Sequence, residues 1–303
     1  MLKKIYFTGA VLVLLFGLFL TGCGDPEPQD RAQKDGVEIV TSISILADIT
    51  ENITGNRGSV KYVVPTGEHP EDYELLPGEV QMVNDADLFF INGMGLEVMM
   101  EKALGEITGT PVVTVTEGIE PIPLEGSYEP DPHAWLDVKL ILSYIDNIAD
   151  KLIEADPHGE KEYRENARKY KDELEELEGW IKEKVKEVPE KNRVIVISEN
   201  AFKYFGEAYG FQAEGIWELN SHEEGTPKQI SRVVDLVREK GLPALFVEAT
   251  VDRRYMETIS AETGVPISGE VHTDALGGPG SGAETYMDMM RENVKIIVEG
   301  LNR

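Results

Sequence analysis

The chain has 303 residues, of which 41% are hydrophobic and 28% are charged, a composition typical of a globular protein of about two domains. It argues against collagen-like, disordered and multi-span membrane proteins. The formal net charge of -27 argues against a nucleic acid partner, because such proteins need cations that displace counterions from phosphates. A single cysteine, Cys23, excludes an internal disulfide.

The first residues have the pattern of a secretory signal. Two lysines precede an apolar run at residues 5–20, which is short for a membrane span of about 20 apolar residues. The run ends in a leucine, two small residues and Cys23, which resembles a bacterial lipobox. We therefore expect residues 1–22 to be a lipoprotein signal peptide and Cys23 to carry lipid. The alternative is an uncleaved anchor helix in which the cysteine is incidental.

Residues 23–36 begin with the cysteine and continue as a polar stretch without apolar periodicity, which indicates a flexible tether. A tether that ends in a lipid would hold the protein on the membrane. We therefore expect the protein at the outer face of the cytoplasmic membrane, on its periplasmic or extracellular side.

Beyond the tether, short runs of β-branched residues alternate with stretches of helical spacing. The predicted strands are residues 37–42, 59–65, 88–92, 112–116, 194–198, 215–219, 244–249 and 265–271. Helical spacing is seen at residues 96–107, 229–240 and 285–301. Apolar strands that alternate with helices predict an α/β fold with mostly parallel sheets and flanking helices.

One segment interrupts this alternation. Residues 158–188 lack proline and carry apolar residues at alternating spacings of four and three on an otherwise charged background, which predicts one helix of roughly 45 Å. We expect a first lobe at residues 37–156, a linking helix at 157–189 and a second lobe at 190–303. We expect the protein to be a monomer. The alternative is that the apolar seam forms an intermolecular coiled coil.

Candidate ligands for a metal ion follow several predicted strands. His69 lies in a loop with several carboxylates, and His133 lies in a proline-stiffened loop at the entry to a helix. Glu199 ends an apolar strand, and Asp274 follows another. In open α/β sheets ligands bind beyond the carboxyl ends of strands, and imidazoles with carboxylates suit a divalent metal. On residue type alone, each of these could instead be a surface or helix-cap residue.

At these loops the sequence resembles a known family. Residues 131–137, 198–205, 216–220 with 223–227, and 245–248 are similar to motifs of the metal-binding lipoproteins of bacterial manganese and zinc ABC importers. The resemblance runs in one collinear order from about residue 37 to the C-terminus. It implies two α/β lobes joined by one rigid long helix, with a metal ion between them and an ABC permease as partner. It implies a binding protein rather than an enzyme.

The resemblance also implies four ligands, one from each of four loops. His133, Glu199 and Asp274 match the second, third and fourth. At the first, the family has the pattern Pro-x-Gly-x-Asp-Pro-His, whereas here Glu71 takes the place of the histidine and His69 that of the aspartate. Either the loop shifts so that His69 reaches the metal, or Glu71 binds it, and the sequence leaves both open.

Both ligand sets are rich in oxygen, which favours Mn²⁺, with Fe²⁺ or Zn²⁺ as alternatives. The resemblance supports this, because the third ligand is glutamate in manganese-type members. Two other functions stay open: a surface adhesin with a structural metal, and a metal-dependent hydrolase, which needs an open coordination position for water. The sequence does not say whether Asp131, Asp137, Glu248 or His272 supports the ligands.

Overall fold

The computed structural model describes residues 36–303, except residues 101, 102, 104, 106 and 220–224. The predicted signal peptide, the lipidation site Cys23 and residues 24–35 of the tether therefore lie outside the described residues. Within the described ranges, no helix is both long enough and apolar enough to cross a bilayer. Gly36–Arg303 cluster as one unit, so the two lobes are described together.

The first lobe is built on a four-stranded parallel sheet with the order β2-β1-β3-β4. Its strands are β1 (Val37–Thr41), β2 (Gly58–Tyr62), β3 (Leu88–Ile91) and β4 (Val112–Thr114). Its helices are α1 (Ser44–Thr54), α2 (Pro77–Asn84) and α3 (Ile141–Ala155). In the region of the predicted helix 96–107, the described residues show a 3-10 turn at Val98–Met100.

The second lobe contains two parallel strand pairs, β5-β6 and β7-β8, and β5 lies beside β7. Its strands are β5 (Val194–Glu199), β6 (Gln212–Trp217), β7 (Leu245–Glu248) and β8 (Ile267–Val271). Its helices are α5 (Lys203–Tyr209), α6 (Pro227–Lys240), α7 (Arg254–Thr263) and α8 (Tyr286–Leu301). The predicted α/β fold with parallel sheets is confirmed.

Strand β6 begins three residues earlier than the sequence pattern predicts. Its first three residues, 212–214, are exposed or half-buried, whereas Gly215–Trp217 are buried, so the apolar signal starts late. A side chain at Gly215 would collide with the backbone of Asn200 and Trp217. The glycine therefore lets β6 pass closely beside the end of β5, which carries Glu199.

The long linking helix is confirmed, with tighter ends than predicted. Helix α4 (Glu160–Lys184) is preceded by a 3-10 turn at Pro157–Gly159 and followed by another at Val185–Glu187. Its apolar seam is buried, and the helix packs against α1 and α3 of the first lobe and α8 of the second. The seam is therefore covered by helices of the same chain, which explains its spacing without a coiled coil between molecules.

One half-buried carboxyl group of the first lobe is expected to lower stability at neutral pH. Asp48 lies on α1, where its Oδ2 accepts the N–H of Tyr286 at 3.0 Å. Burial raises the pKa of Asp48 from 3.8 to about 6, assisted by Glu51 and Asp288 and opposed by the Tyr286 N–H. As pH rises, the unfolded chain loses this proton first, so the folded state loses stability between about pH 4 and pH 6.

We expect Asp48→Asn to raise the free energy of unfolding of the metal-stripped protein by about 2 kcal/mol at pH 7 and to change it little at pH 4. Asparagine resembles the protonated carboxyl group and keeps an oxygen for the Tyr286 N–H. Urea unfolding at both pH values measures the effect, with Asp150→Asn, at an exposed aspartate of α3, as the control. An equal effect at the two pH values would contradict the assignment.

Candidate metal centre

The candidate ligands come together because the carboxyl ends of parallel strands lie at one edge of each sheet. The loop after β2 carries His69 and Glu71, and the segment after β4 leads to His133. Glu199 is the last residue of β5, and Asp274 lies three residues beyond the end of β8. These are the positions at which ligands bind in open α/β sheets.

His133 is the centre of the group. Its side chain is fully buried. Asp131 Oδ1 accepts the backbone N–H of His133 at 2.9 Å and lies 2.8 Å from the Nδ1 of the His133 ring. The ring also lies edge-on to Trp135, with 5.2 Å between centroids. A hydrogen on Nδ1 leaves the lone pair of Nε2 free for a cation. Nε2 lies 3.3 Å from Glu199 Oε1 and 3.2 Å from Asp274 Oδ1.

The first-ligand question is addressed by the position of Glu71. Donor atoms of Glu71, His133 and Asp274 lie within 4.8 Å of one another, and all three residues are buried. His69 is half-buried, and its charge acts on Asp274 from nearby. Among the described residues, the structure therefore places Glu71 in the donor group and His69 beside it, which favours the arrangement of one imidazole and three carboxylates.

A buried carboxylate below the site joins the two ligand loops of the second lobe. Glu248 ends β7, and its Oε1 accepts the Ser198 hydroxyl and the Glu199 N–H, each at 2.7 Å. The Thr273 hydroxyl lies 2.9 Å from Glu248 Oε2 and 3.1 Å from Asp274 Oδ2. Burial, together with Asp274, raises the pKa of Glu248 to about 7. Glu248 thereby fixes the spacing between the loops that carry Glu199 and Asp274.

The buried charges shift one another strongly. Burial alone would lower the pKa of His133, but Asp131, Asp274 and Glu199 outweigh burial and raise it well above its usual value. Burial raises the pKa of Glu199 well above its usual value, and the carboxylates of Glu71 and Asp274 add to this against the opposing effect of His133. Both shifts favour the protonated form of the group concerned.

Asp274 behaves in the opposite way. Burial alone would raise its pKa, but His133 and His69 outweigh burial and lower it. This shift favours the ionised form of Asp274 beside the imidazole.

Several buried donor atoms of the site lack a hydrogen bond of good geometry among the residues that the structure describes. Within the described part of the chain, no partner atom forms a hydrogen bond with His133 Nε2, with either carboxylate oxygen of Glu199 or with Asp274 Oδ1. These atoms contact one another as ion pairs at 3.2 and 3.3 Å. Buried polar atoms are normally satisfied, and leaving them unsatisfied is costly. Carboxylate oxygens and an imidazole nitrogen that converge in this way suit a divalent cation.

Sequence reasoning left the supporting residues open, and the structure separates them. Asp131 and Glu248 hold the loops of His133 and Glu199, respectively. Asp137 accepts the backbone N–H of Lys139, and the backbone of His272 is hydrogen-bonded to the side chain of Asn293. The signal for Glu248 was present in the sequence, because it ends an apolar strand as Glu199 does.

Comparison with known proteins places the chain in a family. The family model of the zinc-uptake complex component A, a periplasmic protein (ZnuA), matches residues 39–300. The manganese-binding lipoprotein MntA of Halalkalibacterium halodurans is 52% identical over 302 residues, covering 100% of both chains. The manganese ABC transporter substrate-binding lipoprotein PsaA of Streptococcus pneumoniae is 38% identical, covering 97% of this chain and 98% of that protein.

Solved structures show the same architecture. The periplasmic zinc-binding protein TroA of Treponema pallidum has a TM-score of 0.84 at 29% identity, covering 88% of this chain and 100% of that chain. A Mn-bound periplasmic metal-binding protein of Candidatus Liberibacter asiaticus has a TM-score of 0.80 at 29% identity, covering 88% of this chain and 99% of that chain. The two-lobed fold and the match across residues 39–300 show that the chain belongs to the ZnuA family of metal-binding proteins of ABC importers.

Proposed function

We propose that the protein captures a divalent cation, Mn²⁺ foremost, between its two lobes and delivers it to the permease of an ABC importer. Glu71 and His133 of the first lobe and Glu199 and Asp274 of the second are the proposed ligands. The protein binds and releases its cargo without catalysis.

The observation that carries this proposal is a set of buried donor atoms that lie close to one another but form no hydrogen bond of good geometry with any residue that the structure describes. His133 Nε2, the Glu199 oxygens and Asp274 Oδ1 lie in the protein interior, where isolated charges are strongly disfavoured. A cation among them would offset the repulsion between the carboxylates and satisfy the donor atoms at once. The ligands come from both lobes, so the same ion would also hold the lobes together.

The donor chemistry supports Mn²⁺ as cargo. Three carboxylates and one imidazole form a hard, oxygen-rich set, which suits Mn²⁺ better than thiolate or all-imidazole sites do. Two of the relatives are named for manganese. The general affinity order places Zn²⁺ above Mn²⁺ at most sites, so zinc binding in vitro does not by itself identify the physiological cargo.

The proposed location rests on the N-terminal pattern and on the relatives. Cys23 ends the lipobox-like sequence, and the relatives MntA and PsaA are named as lipoproteins. A monomer tethered by lipid at the outer face of the cytoplasmic membrane would stay close to its permease while remaining free to reach the metal ion.

The proposal is tested by metal titration of the chain from residue 24 onward, which retains the whole described unit. After removal of metal by chelation, titration with Mn²⁺, Fe²⁺ and Zn²⁺ by calorimetry is expected to show one ion per chain. Binding should be lost in His133→Ala, since that variant removes the central donor. Absence of binding by the unmodified chain would overturn the proposal.

A further inference from the structure

A largely buried lysine contacts Asp131, the carboxylate that pairs with the proposed ligand His133. Lys203 is the first residue of α5, and its side chain is only 13% exposed. Its Nζ lies 3.3 Å from Asp131 Oδ2 and also pairs with Glu218 Oε2 at the end of β6. A charge removed from water in this way must be held by partners of opposite charge, and here both partners are carboxylates.

Asp131 transmits the effect of Lys203 to the site. One oxygen of the Asp131 carboxylate holds the Nδ1 and the backbone N–H of His133, while the other faces Lys203. The orientation of a ligating imidazole is set by the partner of its second nitrogen. Lys203 therefore acts on the ligand His133 through one intervening carboxylate, without touching the donor group.

The same contacts cross from one lobe to the other. Asp131 closes a loop at residues 122–131 of the first lobe, whose ends are joined by a hydrogen bond from Asp131 N–H to the Ile122 carbonyl at 2.7 Å. Glu218 Oε2 of the second lobe accepts the N–H of Glu125 at 2.7 Å. Tyr204, the neighbour of Lys203, donates to the Asp131 carbonyl at 2.8 Å and accepts from the Ile122 N–H at 3.0 Å.

The 122–131 loop is thus held by three side chains of the second lobe. Tyr204 and Glu218 bind its backbone, whereas Lys203 binds the carboxylate that orients the metal ligand. Separation of the lobes would break all of these contacts together and would release Asp131 from its cation. The cross-lobe contacts and the geometry of His133 are therefore physically linked.

We propose that Lys203 is a positioning residue that ties Asp131, and through it His133, to the second lobe, so that release of the metal ion requires this contact to break. This inference rests on the proposed metal-binding function. It predicts that loss of Lys203 affects the rate of metal release more than the rate of capture, because the contact exists only when the lobes are closed.

The test is the rate of Mn²⁺ release from the chain from residue 24 onward. Excess chelator is mixed with the Mn²⁺-loaded protein, and tryptophan fluorescence is followed, since Trp135 lies against His133. We expect Lys203→Met to release Mn²⁺ at least about tenfold faster, the usual size of an effect on a residue behind a metal ligand. Association should change by less than about threefold, and Lys203→Arg, which keeps the charge, should restore most of the slow release.

Controls separate a local role from a general loss of stability. Lys169→Met removes a lysine whose side chain is 74% exposed and pairs with Glu173 on α4, and it should release Mn²⁺ at the rate of the unmodified protein. Glu218→Gln weakens the same contact from its other side and should give a smaller acceleration. A Lys203→Met protein that melts earlier but releases Mn²⁺ at the unmodified rate would overturn the inference, as would unchanged release in a folded Glu218→Gln variant. If the unmodified chain binds no Mn²⁺, the proposed function itself fails.

Discussion

Replacement of Glu71 by alanine is expected to weaken Mn²⁺ binding by about 100-fold or more, the upper range for groups that act on a bound metal. Glu71 is 2% exposed, and one of its carboxylate oxygens lies within 4.8 Å of a donor atom of His133 and of one of Asp274. Its removal takes one negative charge and one oxygen from the proposed shell. The metal-stripped variant should remain folded, because the loss also relieves repulsion of Glu199.

Two substitutions in the same loop serve as comparisons for Glu71→Ala. His69→Ala removes the other candidate first ligand and is expected to change the affinity by only about threefold or less, since His69 is half-buried, whereas a carboxylate oxygen of Glu71 lies within 4.8 Å of donor atoms of His133 and Asp274. Glu68→Ala removes an equal charge at an exposed position and should have no measurable effect. Calorimetry decides between the candidates: loss of binding in His69→Ala with retention in Glu71→Ala would mean that the loop shifts.

A further variant tests the departure of this loop from its family. Glu71→His restores the histidine that the family pattern carries at this position. We expect this variant to bind metal, and to favour Zn²⁺ over Mn²⁺ more than the unmodified protein does, because imidazole replaces a hard oxygen donor. Competition between the two ions on one sample measures this ratio, and an unchanged ratio would contradict a direct role of Glu71.

Metal binding is expected to release protons and to weaken steeply as pH falls. In the metal-free protein, His133 and Glu199 both have raised pKa values, the first because nearby carboxylates outweigh burial and the second because of burial and nearby carboxylates. Both groups must lose their protons before they can bind a cation. Each proton released makes the affinity for Mn²⁺ change about tenfold per pH unit, so a single proton gives about 100-fold between pH 6 and pH 8.

Calorimetry in two buffers with different heats of ionisation counts the protons released. We expect at least one proton per Mn²⁺ at pH 7, and the same number in Asp48→Asn, since Asp48 titrates near pH 6 but lies outside the donor group. An affinity that stays constant from pH 6 to pH 8, together with no buffer dependence, would contradict the protonated state inferred for His133 and Glu199.

The sequence predicts much of the fold because the deciding signals are local. Apolar β-branched runs mark the strands, and the seam on α4 follows from spacing alone. The start of β6 was missed, because residues 212–214 are not fully buried and carry no apolar pattern. The linking helix was placed correctly in its body, whereas its 3-10 ends depend on packing that spacing does not encode.

The site is less predictable, because its geometry joins four distant loops. Glu199 could be singled out as an acid at the end of an apolar strand, and the same signal marks Glu248, whose supporting role the sequence left open. The choice between His69 and Glu71 could not be made from the sequence. The two residues lie in one loop, and the conformation of that loop decides which side chain faces the metal site. The role of Lys203 depends on the cross-lobe contact with Asp131, which the sequence does not show, although Lys203 lies in the family-like motif at residues 198–205.

The most direct test of the proposed site is a crystal structure of the chain from residue 24 onward grown with Mn²⁺, with anomalous diffraction data that locate the ion. We expect one strong anomalous peak between the lobes, within coordination distance of Glu71, His133, Glu199 and Asp274, and with His69 outside the shell. A peak bound by His69 in place of Glu71 would correct the first ligand. A peak elsewhere on the protein, with these buried carboxylates empty at saturating Mn²⁺, would contradict the proposed function.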